Sequence, residues 1–299
     1  MCSGKEIGTC VLWDFRSMRR NPRVLLGYAL GFCLCFFLTQ RIIELSSRFH
    51  TDIQMLEPFI WCFADTDSIL FASLALLLPL SQIPQLNVPT YYLVFRRGRA
   101  NWICGQIATT VLISFSYALL LLVSSVLLTA GNSFWANHWS DTATVVSFAP
   151  EQFEVALTVI RKTVKLTVPY DCAGIIFFLL MQYVLFLTLL NLAVSLRFGK
   201  RAGMTAVIAV SFGAYLLTPD QWMNWLHIPP QLEYMANTLA AWVSPLSHAS
   251  YSMHSFGYGG FPSVLQSHAV FGCLNLGLLL LSYGTAKNME FSFSGGFYE

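Results

Sequence analysis

Charged side chains are scarce in this chain. Asp, Glu, Lys and Arg make up 11% of its 299 residues, whereas 56% of the residues are hydrophobic. Soluble domains carry roughly 25% charged residues. Residues 173–196 contain no Asp, Glu, Lys, Arg or His at all. A helix over this segment would be about 36 Å long and would cross a hydrocarbon layer of roughly 30 Å. The shortage of charge therefore predicts a polytopic membrane protein.

Motifs that carry chemistry are also missing. The sequence has no G-x-x-x-x-G-K-[ST] loop for nucleotide phosphates, no H-E-x-x-H, no G-x-S-x-G and no C-x-x-C. An intramembrane enzyme would need paired acids, a His/Cys cluster or an activated serine at membrane depth, and none is visible. We therefore expect no enzyme activity, no cofactor and no metal in this chain. The net charge of +2 gives no indication of nucleic-acid binding.

The predicted spans also lack acidic and basic residues at their centres, where ion-coupled carriers usually place them. The polar residues at membrane depth are neutral: Gln40, Gln82, Gln106, Gln182, Asn191 and Asn275. His227, His248 and His254 are irregularly spaced, and His268 is expected to be a hydrogen-bonded histidine at a span boundary. Cys62 and Cys172 both fall near the predicted outer surface, so a disulfide and two separate thiols are both compatible with the sequence. Any energy for transport would have to come from another chain.

Apolar runs predict an all-α membrane protein with a single transmembrane domain over residues 1–299. The six predicted spans cover about 24–43, 67–86, 102–129, 173–196, 203–218 and 264–285. Long outer loops cover 44–66, 130–172 and 219–263, within which 56–64 and 232–243 are apolar enough to be re-entrant or interfacial. The segment LTVIRKTVKLTVP, residues 157–169, alternates like a β-strand in its later part.

Residues 4–21 come before the first span and have the pattern of an amphipathic helix. Ile7, Cys10, Val11, Phe15 and Met18 recur at helical spacing. The opposite side is assigned to Glu6, Asp14, Arg16, Ser17 and Arg20. This pattern predicts an interfacial helix lying in the membrane surface, in preference to an unstructured polar tail. The residues expected to serve that role are Trp13, Phe15, Arg16, Arg19 and Arg20.

The distribution of Lys and Arg predicts the orientation. With the N-terminus in the cytoplasm, twelve of the seventeen basic residues fall on the inner side. They are Lys5, Arg16, Arg19, Arg20, Arg23, Arg96, Arg97, Arg99, Arg197, Lys200, Arg201 and Lys287. The positive-inside rule therefore favours this orientation by more than two to one. Six spans then place both termini in the cytoplasm.

The inner connection between the second and third spans reads NVPTYYLVFRRGRANW, residues 87–102. It combines aromatic side chains with fixed positive charge at Tyr91, Tyr92, Phe95, Arg96, Arg97 and Arg99. Aromatic and Arg side chains are typical anchors of protein interfaces. Binding of lipid and enforcement of topology explain the arginines equally well on the sequence alone.

The segment from the second span through YYLVFRRGRANWICGQIATTVLISFSYALLLLVSSVLL resembles the membrane subunit of type-2 ABC transporters of the bacterial exporter kind. The resemblance is specific over about residues 85–130. The motif residues are Arg97, Gly98, Arg99, Trp102, Gly105 and Gln106, with one position shifted at Arg96 and Arg97. The order of surface helix, six spans and inner loop also fits the family.

The resemblance implies a permease that has no catalytic site of its own. Two permease chains, identical or related, would assemble with two copies of a separate ATPase that binds ATP and Mg in the bacterial cytoplasmic membrane. The interfacial helix and residues 87–99 would contact the ATPase. The substrate stays open among peptides, lipid-linked sugars and drugs. The alternatives are a non-transporting scaffold or sensor subunit and an ion-coupled secondary carrier or channel.

Overall fold

The computed structural model describes residues 3–85, 88–148, 161–216, 219–255, 257 and 259–288, and it is almost entirely helical. The first seven helices are α1 (Gly4–Arg19), α2 (Pro22–Phe49), α3 (Glu57–Phe63), α4 (Thr66–Leu80), α5 (Val88–Arg97), α6 (Arg99–Thr129) and α7 (Asp141–Phe148). The other seven are α8 (Arg161–Leu166), α9 (Pro169–Phe198), α10 (Lys200–Leu216), α11 (Pro219–Leu226), α12 (Glu233–Val243), α13 (Pro245–Ala249) and α14 (Val264–Asn288).

Four helices are long and apolar enough to cross a membrane: α2, α6 with the turn that follows it, α9 and α14. These helices contain the spans predicted at 24–43, 102–129, 173–196 and 264–285. A fifth candidate is the pair α3 and α4, which meet at an angle of 86° as a broken span or a re-entrant loop. The described part of the chain is therefore almost entirely α-helical, with four to five candidate membrane spans.

The two remaining predicted spans correspond to helices that are shorter than these four. The span predicted at 67–86 corresponds to α4, which ends at Leu80. The one predicted at 203–218 corresponds to α10, a helix of 17 residues. At 1.5 Å per residue α10 is about 26 Å long, a little less than the hydrocarbon thickness.

Helix α9 is the centre of the bundle, where it contacts α14, α10 and α6. Leu179, Leu187 and Leu192 are fully buried on it. Helix α2 approaches α4 and α6 closely because it has glycine at the two crossing points. A Cβ on Gly27 would lie 2.4 Å from the Pro79 ring, and one on Gly31 would lie 3.2 Å from Tyr117. Small residues at helix crossings are typical of membrane proteins.

Asn191 of α9 compensates for the early end of α4. Pro79 and Pro84 interrupt the helical hydrogen bonding near this end, which leaves backbone carbonyls without helical partners. The Asn191 Nδ2 atom donates to the Leu80 carbonyl at 3.1 Å and to the Ile83 carbonyl at 2.8 Å. A buried carboxamide thus hydrogen-bonds two carbonyls at the end of α4. The Leu80 carbonyl also accepts from the Ile83 N–H at 2.9 Å, so Asn191 matters most for the Ile83 carbonyl.

The segments between the spans hold one short sheet. Strand β1 (Ile53–Gln54) pairs in parallel with β2 (Ser133–Phe134). The strand predicted in the later part of 157–169 is wrong for residues 161–166, which form the helix α8; residues 157–160 lie outside the described part. Alternation over so few residues does not distinguish a strand from one short helical turn. Cys62 and Cys172 are buried separate thiols, so the disulfide alternative is not realised.

Candidate coupling surface

Helix α1 lies along the beginning of α6, and one glycine allows the close approach. A Cβ added to Gly105 would lie 2.6 Å from the Cβ of Cys10, closer than real side chains come. Cys10 and Met18 of α1 are buried in this contact. The two helices therefore meet almost backbone to backbone at Gly105, and a larger residue would move α1 outward.

A side-chain amide on α6 fixes the beginning of α1. The Asn101 Nδ2 atom donates to the carboxylate of Glu6 and, at 2.8 Å, to the carbonyl of Arg97. Its Oδ1 atom accepts from the backbone N–H of Ser3 at 3.0 Å. Asn101 thus joins the beginning of α1 to the junction between α5 and α6.

Asp14 carries the second polar contact, and its carboxylate is buried between α1 and α6. The Oδ2 atom accepts hydrogen bonds from Gln106 Nε2 at 2.7 Å and from Thr109 Oγ1 at 3.0 Å. The Gln85 amide donates to the backbone carbonyl of Asp14 at 3.3 Å. These bonds link three separate segments: α1, the chain that leads into α5, and α6.

Burial raises the pKa of Asp14 to about 6, because a carboxylate is disfavoured where water is excluded. The hydrogen bonds from Thr109 and Gln106 act in the opposite direction, since they stabilise the charged form. The ion pair of Arg48 with Glu44 lies elsewhere in the molecule. Asp14 is therefore held by neutral donors, and its charge state can change close to neutral pH.

Helix α5 presents a polar and aromatic surface next to this corner. Tyr92 is 67% exposed and Phe95 is 66% exposed, while Val94 on the same helix is buried. Arg96 is also exposed, and Gly98 joins α5 to α6 with φ of +85°. That φ is easily adopted by glycine alone, so it explains the glycine between two helices that change direction there. Arg99 begins α6, and its Nη1 donates to the Lys287 carbonyl at 3.4 Å.

The structure places most of the residues singled out from the sequence on this corner. Tyr92, Phe95, Arg96 and Arg99 are exposed and Arg97 is partly buried, whereas the side chain of Tyr91 lies outside the described part. On α1, Trp13 is partly buried and the other four are exposed: Phe15, Arg16, Arg19 and Arg20.

The predicted division of α1 into two sides needs a correction. Phe15 was assigned to the apolar side, which was predicted to lie in the membrane surface, and it is 38% exposed. Asp14 was assigned to the polar side, but it is fully buried against α6. The side that docks carries Cys10, Asp14 and Met18, at a spacing of four residues. Its partner on α6 is itself polar, so hydrophobicity alone gives the wrong division.

The motif behind the resemblance has a local structural role. Gly105 allows α1 to approach, Gln106 donates to Asp14, and Trp102 is fully buried one turn earlier. Sequence reasoning did not connect these residues with Glu6 and Asp14. The sequence does contain a four-residue spacing of small and polar residues on both helices, and this spacing could have indicated the contact between α1 and α6.

A second polar cluster lies at the other end of α14. The Oγ of Ser267 is 2.8 Å from His248 Nδ1 and 2.8 Å from His254 Nε2. The remaining ring nitrogens of the two histidines face the carbonyls of Trp242 (3.0 Å) and Ser250 (2.9 Å). All three side chains are buried, so the irregular spacing in the sequence conceals a single site.

In this cluster one serine hydroxyl lies within hydrogen-bond distance of two histidines, an arrangement that the sequence did not reveal. A carbonyl only accepts, so the ring nitrogen that faces it carries the proton. Two neutral imidazoles then both offer a lone pair to Ser267, whose hydroxyl donates to one of them at a time. Because Ser267 is completely buried, a substrate would reach it only after the surrounding segment opened.

His268 has the hydrogen bond that was predicted for it, from Nδ1 to Gln182 Oε1 at 2.7 Å. Within the described ranges, no group of three or more His, Cys, Asp or Glu side chains is arranged to hold a metal ion. In comparisons with known proteins, no family model, no curated protein and no solved structure matches this chain.

Proposed function

We propose that this chain is the membrane-spanning permease subunit of an ATP-driven exporter in the bacterial cytoplasmic membrane. It would pair with a second permease chain and with two copies of a separate ATPase. In this proposal α2, the α3–α4 pair, α6, α9, α10 and α14 are the six spans, and both termini are cytoplasmic. The basic residues at the ends of α1, α5 and α9 then all face the cytoplasm, as the positive-inside rule requires.

The observation that carries the proposal is the joint arrangement of α1, α5 and α6. Helix α5 exposes two aromatic residues and Arg96, the residue types that anchor protein interfaces. The same helix continues into α6 through a single glycine. A partner that pushed on α5 would therefore move a helix that passes through the whole bundle.

The contacts of α1 make this transmission direct. Asn101 and Gln106 hold α1 to α6 at two points, through a partly buried and a fully buried hydrogen bond. Buried polar contacts resist displacement, because separating them leaves unsatisfied polar groups, each of which costs about 1–3 kcal/mol of stability. A movement of this corner would be passed to α6 as one unit. Such a corner suits a chain that has no P-loop and receives its energy from outside.

Helix α10, with 17 residues, is short for a membrane span. A span of about 26 Å is accommodated when the bilayer thins locally, at a cost of fractions of a kcal/mol per ångström. Gly203 lies at its start, where an added Cβ would be 2.0 Å from Ser195 Oγ. Helix α10 therefore packs tightly on α9, which favours a short span held by its neighbour.

Co-purification tests the proposal. The chain is expressed with the ATPase encoded nearest to it, and the complex is isolated in detergent. The variant Tyr92→Ala/Phe95→Ala/Arg96→Ala removes the exposed side chains of α5. A matched control, Trp135→Ala/Trp225→Ala/Arg41→Ala, removes two exposed aromatics and one exposed Arg elsewhere on the molecule. We expect a complex with two ATPase copies for the unaltered chain and the control, and at least a tenfold loss for the α5 variant.

Two results would contradict the proposal. One is the absence of any complex with the ATPase together with transport driven by an ion gradient, which supports a secondary carrier. The other is a stable complex in which ATP hydrolysis responds to an external ligand while nothing is transported, which supports a sensor subunit. Transport that continues unchanged in the α5 variant would remove α5 as the coupling segment.

A further inference from the structure

A groove of about 770 Å³ lies between the last turns of α9 and α14. This volume is in the range of sites for small organic ligands, roughly 300–1,000 Å³. Its lining includes Leu196 and Arg197 of α9 and Leu280, Leu281 and Gly284 of α14. The groove is at the same end of the bundle as α5, because Arg99 contacts the Lys287 carbonyl. It is separate from the surface proposed to contact an ATPase.

Two glycines leave room on the α14 side of the groove. Gly277 and Gly284 are seven residues apart, which is close to two helical turns, so they share one face of α14. A Cβ added to either residue would meet no atom within 4 Å. The floor of the groove is therefore bare helix backbone that no neighbouring side chain of the described residues covers.

The walls of the groove are apolar and open to the membrane. Leu280 is 66% exposed and Leu281 is 60% exposed. In the 18-residue apolar stretch that makes α14 a candidate span, only 17% is buried inside the molecule. A hydrocarbon chain is the natural neighbour of such walls at this depth, because leucine and lipid tails are equally apolar.

The end of the groove is positively charged and polar. Arg197 lies over the ring of Phe198, 5.5 Å from its centre, and no carboxylate of the described residues forms an ion pair with it. Thr285 and Asn288 line the same end and offer a hydroxyl and an amide. A smaller cavity of about 200 Å³ on another side of α14 adds Arg99 and Lys287. Three basic residues therefore surround the last turns of this helix.

We propose that this groove binds one anionic phospholipid. Its phosphate would lie on Arg197 with Thr285 and Asn288, and one acyl chain would lie over Gly277 and Gly284. Guanidinium groups bind phosphate with two parallel hydrogen bonds, and basic pockets between spans on the cytoplasmic side bind anionic headgroups. A second copy of the chain would place its apolar helix against these leucines but would leave Arg197 without an anion. The inference requires that α9 and α14 span a membrane, and it does not depend on the proposed transport function.

Native mass spectrometry of the whole chain in mild detergent tests the site. Phosphatidylglycerol and phosphatidylcholine with identical acyl chains are added in separate titrations. We expect one tightly bound phosphatidylglycerol, with at least tenfold weaker binding of phosphatidylcholine. Arg197→Gln should abolish this preference for the anionic headgroup. Gly284→Leu should fill the groove and weaken the binding of both lipids.

Matched controls separate the groove from the general surface. Arg23→Gln removes an exposed basic residue at the start of α2, and Gly213→Leu fills open space on α10. Both controls should bind phosphatidylglycerol like the unaltered chain. Gly277→Val replaces Gly284→Leu if the latter does not fold.

Equal binding of the two lipids, or unchanged binding in Arg197→Gln, would overturn the proposal. A dimer that Gly284→Leu splits without changing lipid binding would also overturn it, because the groove would then be occupied by a second copy of the chain.

Discussion

The Oδ2 atom of Asp14 accepts a hydrogen bond from Nε2 of Gln106 at 2.7 Å, and both side chains are completely buried. This pair joins a helix outside the spans to one that runs through the bundle. The carboxylate has only neutral donors around it, so the bond holds a charge at a place where burial opposes charge. The attachment of α1 therefore depends on the protonation of one residue.

We predict that the attachment of α1 weakens as the pH rises through about 6. The pKa of Asp14 is raised from 3.8 to about 6 by burial. The folded state thus binds more protons than the unfolded state in this range, so the stabilisation is complete below about pH 4 and is lost as the pH rises. At pH 7 the loss amounts to about 3 kcal/mol. Hydrogen exchange of residues 4–19 between pH 4 and 8, corrected for intrinsic rates, measures it.

Asp14→Asn should remove this dependence. The amide oxygen can accept from Gln106 and Thr109 as the carboxylate does, but it carries no charge. We expect slower exchange of α1 at pH 8 than in the unaltered chain, and a flat profile between pH 5 and 8. Asp141→Asn alters an exposed acid and is the control. A steep profile in Asp14→Asn would show that another group titrates.

Gly105→Ala should displace α1, because the new Cβ would overlap the Cβ of Cys10 at 2.6 Å. Overpacking of a tight contact costs about 1–3 kcal/mol. Cys10→Gly removes the opposing atom, so the double variant should recover most of this loss apart from the helix propensity of glycine, about 1 kcal/mol. Thermal unfolding followed by tryptophan fluorescence measures all three proteins.

Gly8→Ala is the matched control for that series, since a Cβ at Gly8 meets nothing within 4 Å. It should leave the unfolding temperature unchanged or raise it. The contact between Cys10 and Gly105 would be disproved if Gly105→Ala behaved like Gly8→Ala.

Four of the six predicted spans correspond to long helices because uninterrupted apolar runs leave no other structure in a membrane. The predicted boundary of α4 is less accurate, because the span was placed to residue 86 although the helix ends at Leu80, next to Pro79 and before Pro84. The donor that compensates, Asn191, is 111 residues from Leu80 in sequence. No local pattern contains that information.

The candidate coupling surface could be predicted only in part, because some of its contacts also join residues that are distant in sequence. The aromatic and basic composition of 87–99 is visible locally, and so is the helical period of α1. The side of α1 that packs on α6 could not be predicted. Polar residues of α6 form a site there that binds a carboxylate better than an apolar side chain. The cluster of Ser267 with His248 and His254 likewise depends on turns between α12 and α14 that irregular spacing conceals.

Asn191→Leu should destabilise the protein by about 1–3 kcal/mol. Leucine has the same branching and number of side-chain heavy atoms but cannot donate, so the Ile83 carbonyl loses its partner while the Leu80 carbonyl keeps the Ile83 N–H. Each unsatisfied buried carbonyl costs about 1–3 kcal/mol. Unfolding in a denaturing detergent series measures the loss.

Asn275→Leu is the comparison for that variant, because Asn275 makes a single hydrogen bond of 3.3 Å, to the Gln182 carbonyl. It should cost clearly less than Asn191→Leu. An equal loss in both variants would indicate that the two bonds of Asn191 have no special role at the end of α4.

Acid should release the segment 245–255 from the bundle. Ser250 Oγ donates to the Ala64 carbonyl at 2.9 Å, and His254 contacts Ser267 of α14, so this segment ties the corner between α3 and α4 to α14. Burial lowers the pKa of His254 to about 4, and the charges of His248 and His268 lower it further, while the carbonyls of Ser250 and Tyr251 act against them. One added proton would supply a donor for the second contact with Ser267, but burial is the larger effect.

The folded state therefore binds fewer protons than the unfolded state between about pH 6.5 and 4. The contribution of His254 is complete above pH 6.5 and decreases as the pH falls, by about 2 kcal/mol at pH 5. The protection of residues 245–255 against hydrogen exchange should be roughly thirtyfold lower at pH 5 than at pH 7.5, after correction for intrinsic rates. His254→Gln should flatten this profile, whereas His138→Gln, which alters an exposed histidine, should preserve it. If protection instead rises on acidification, the missing donor at Ser267 outweighs burial, and the cluster is a site that holds a proton.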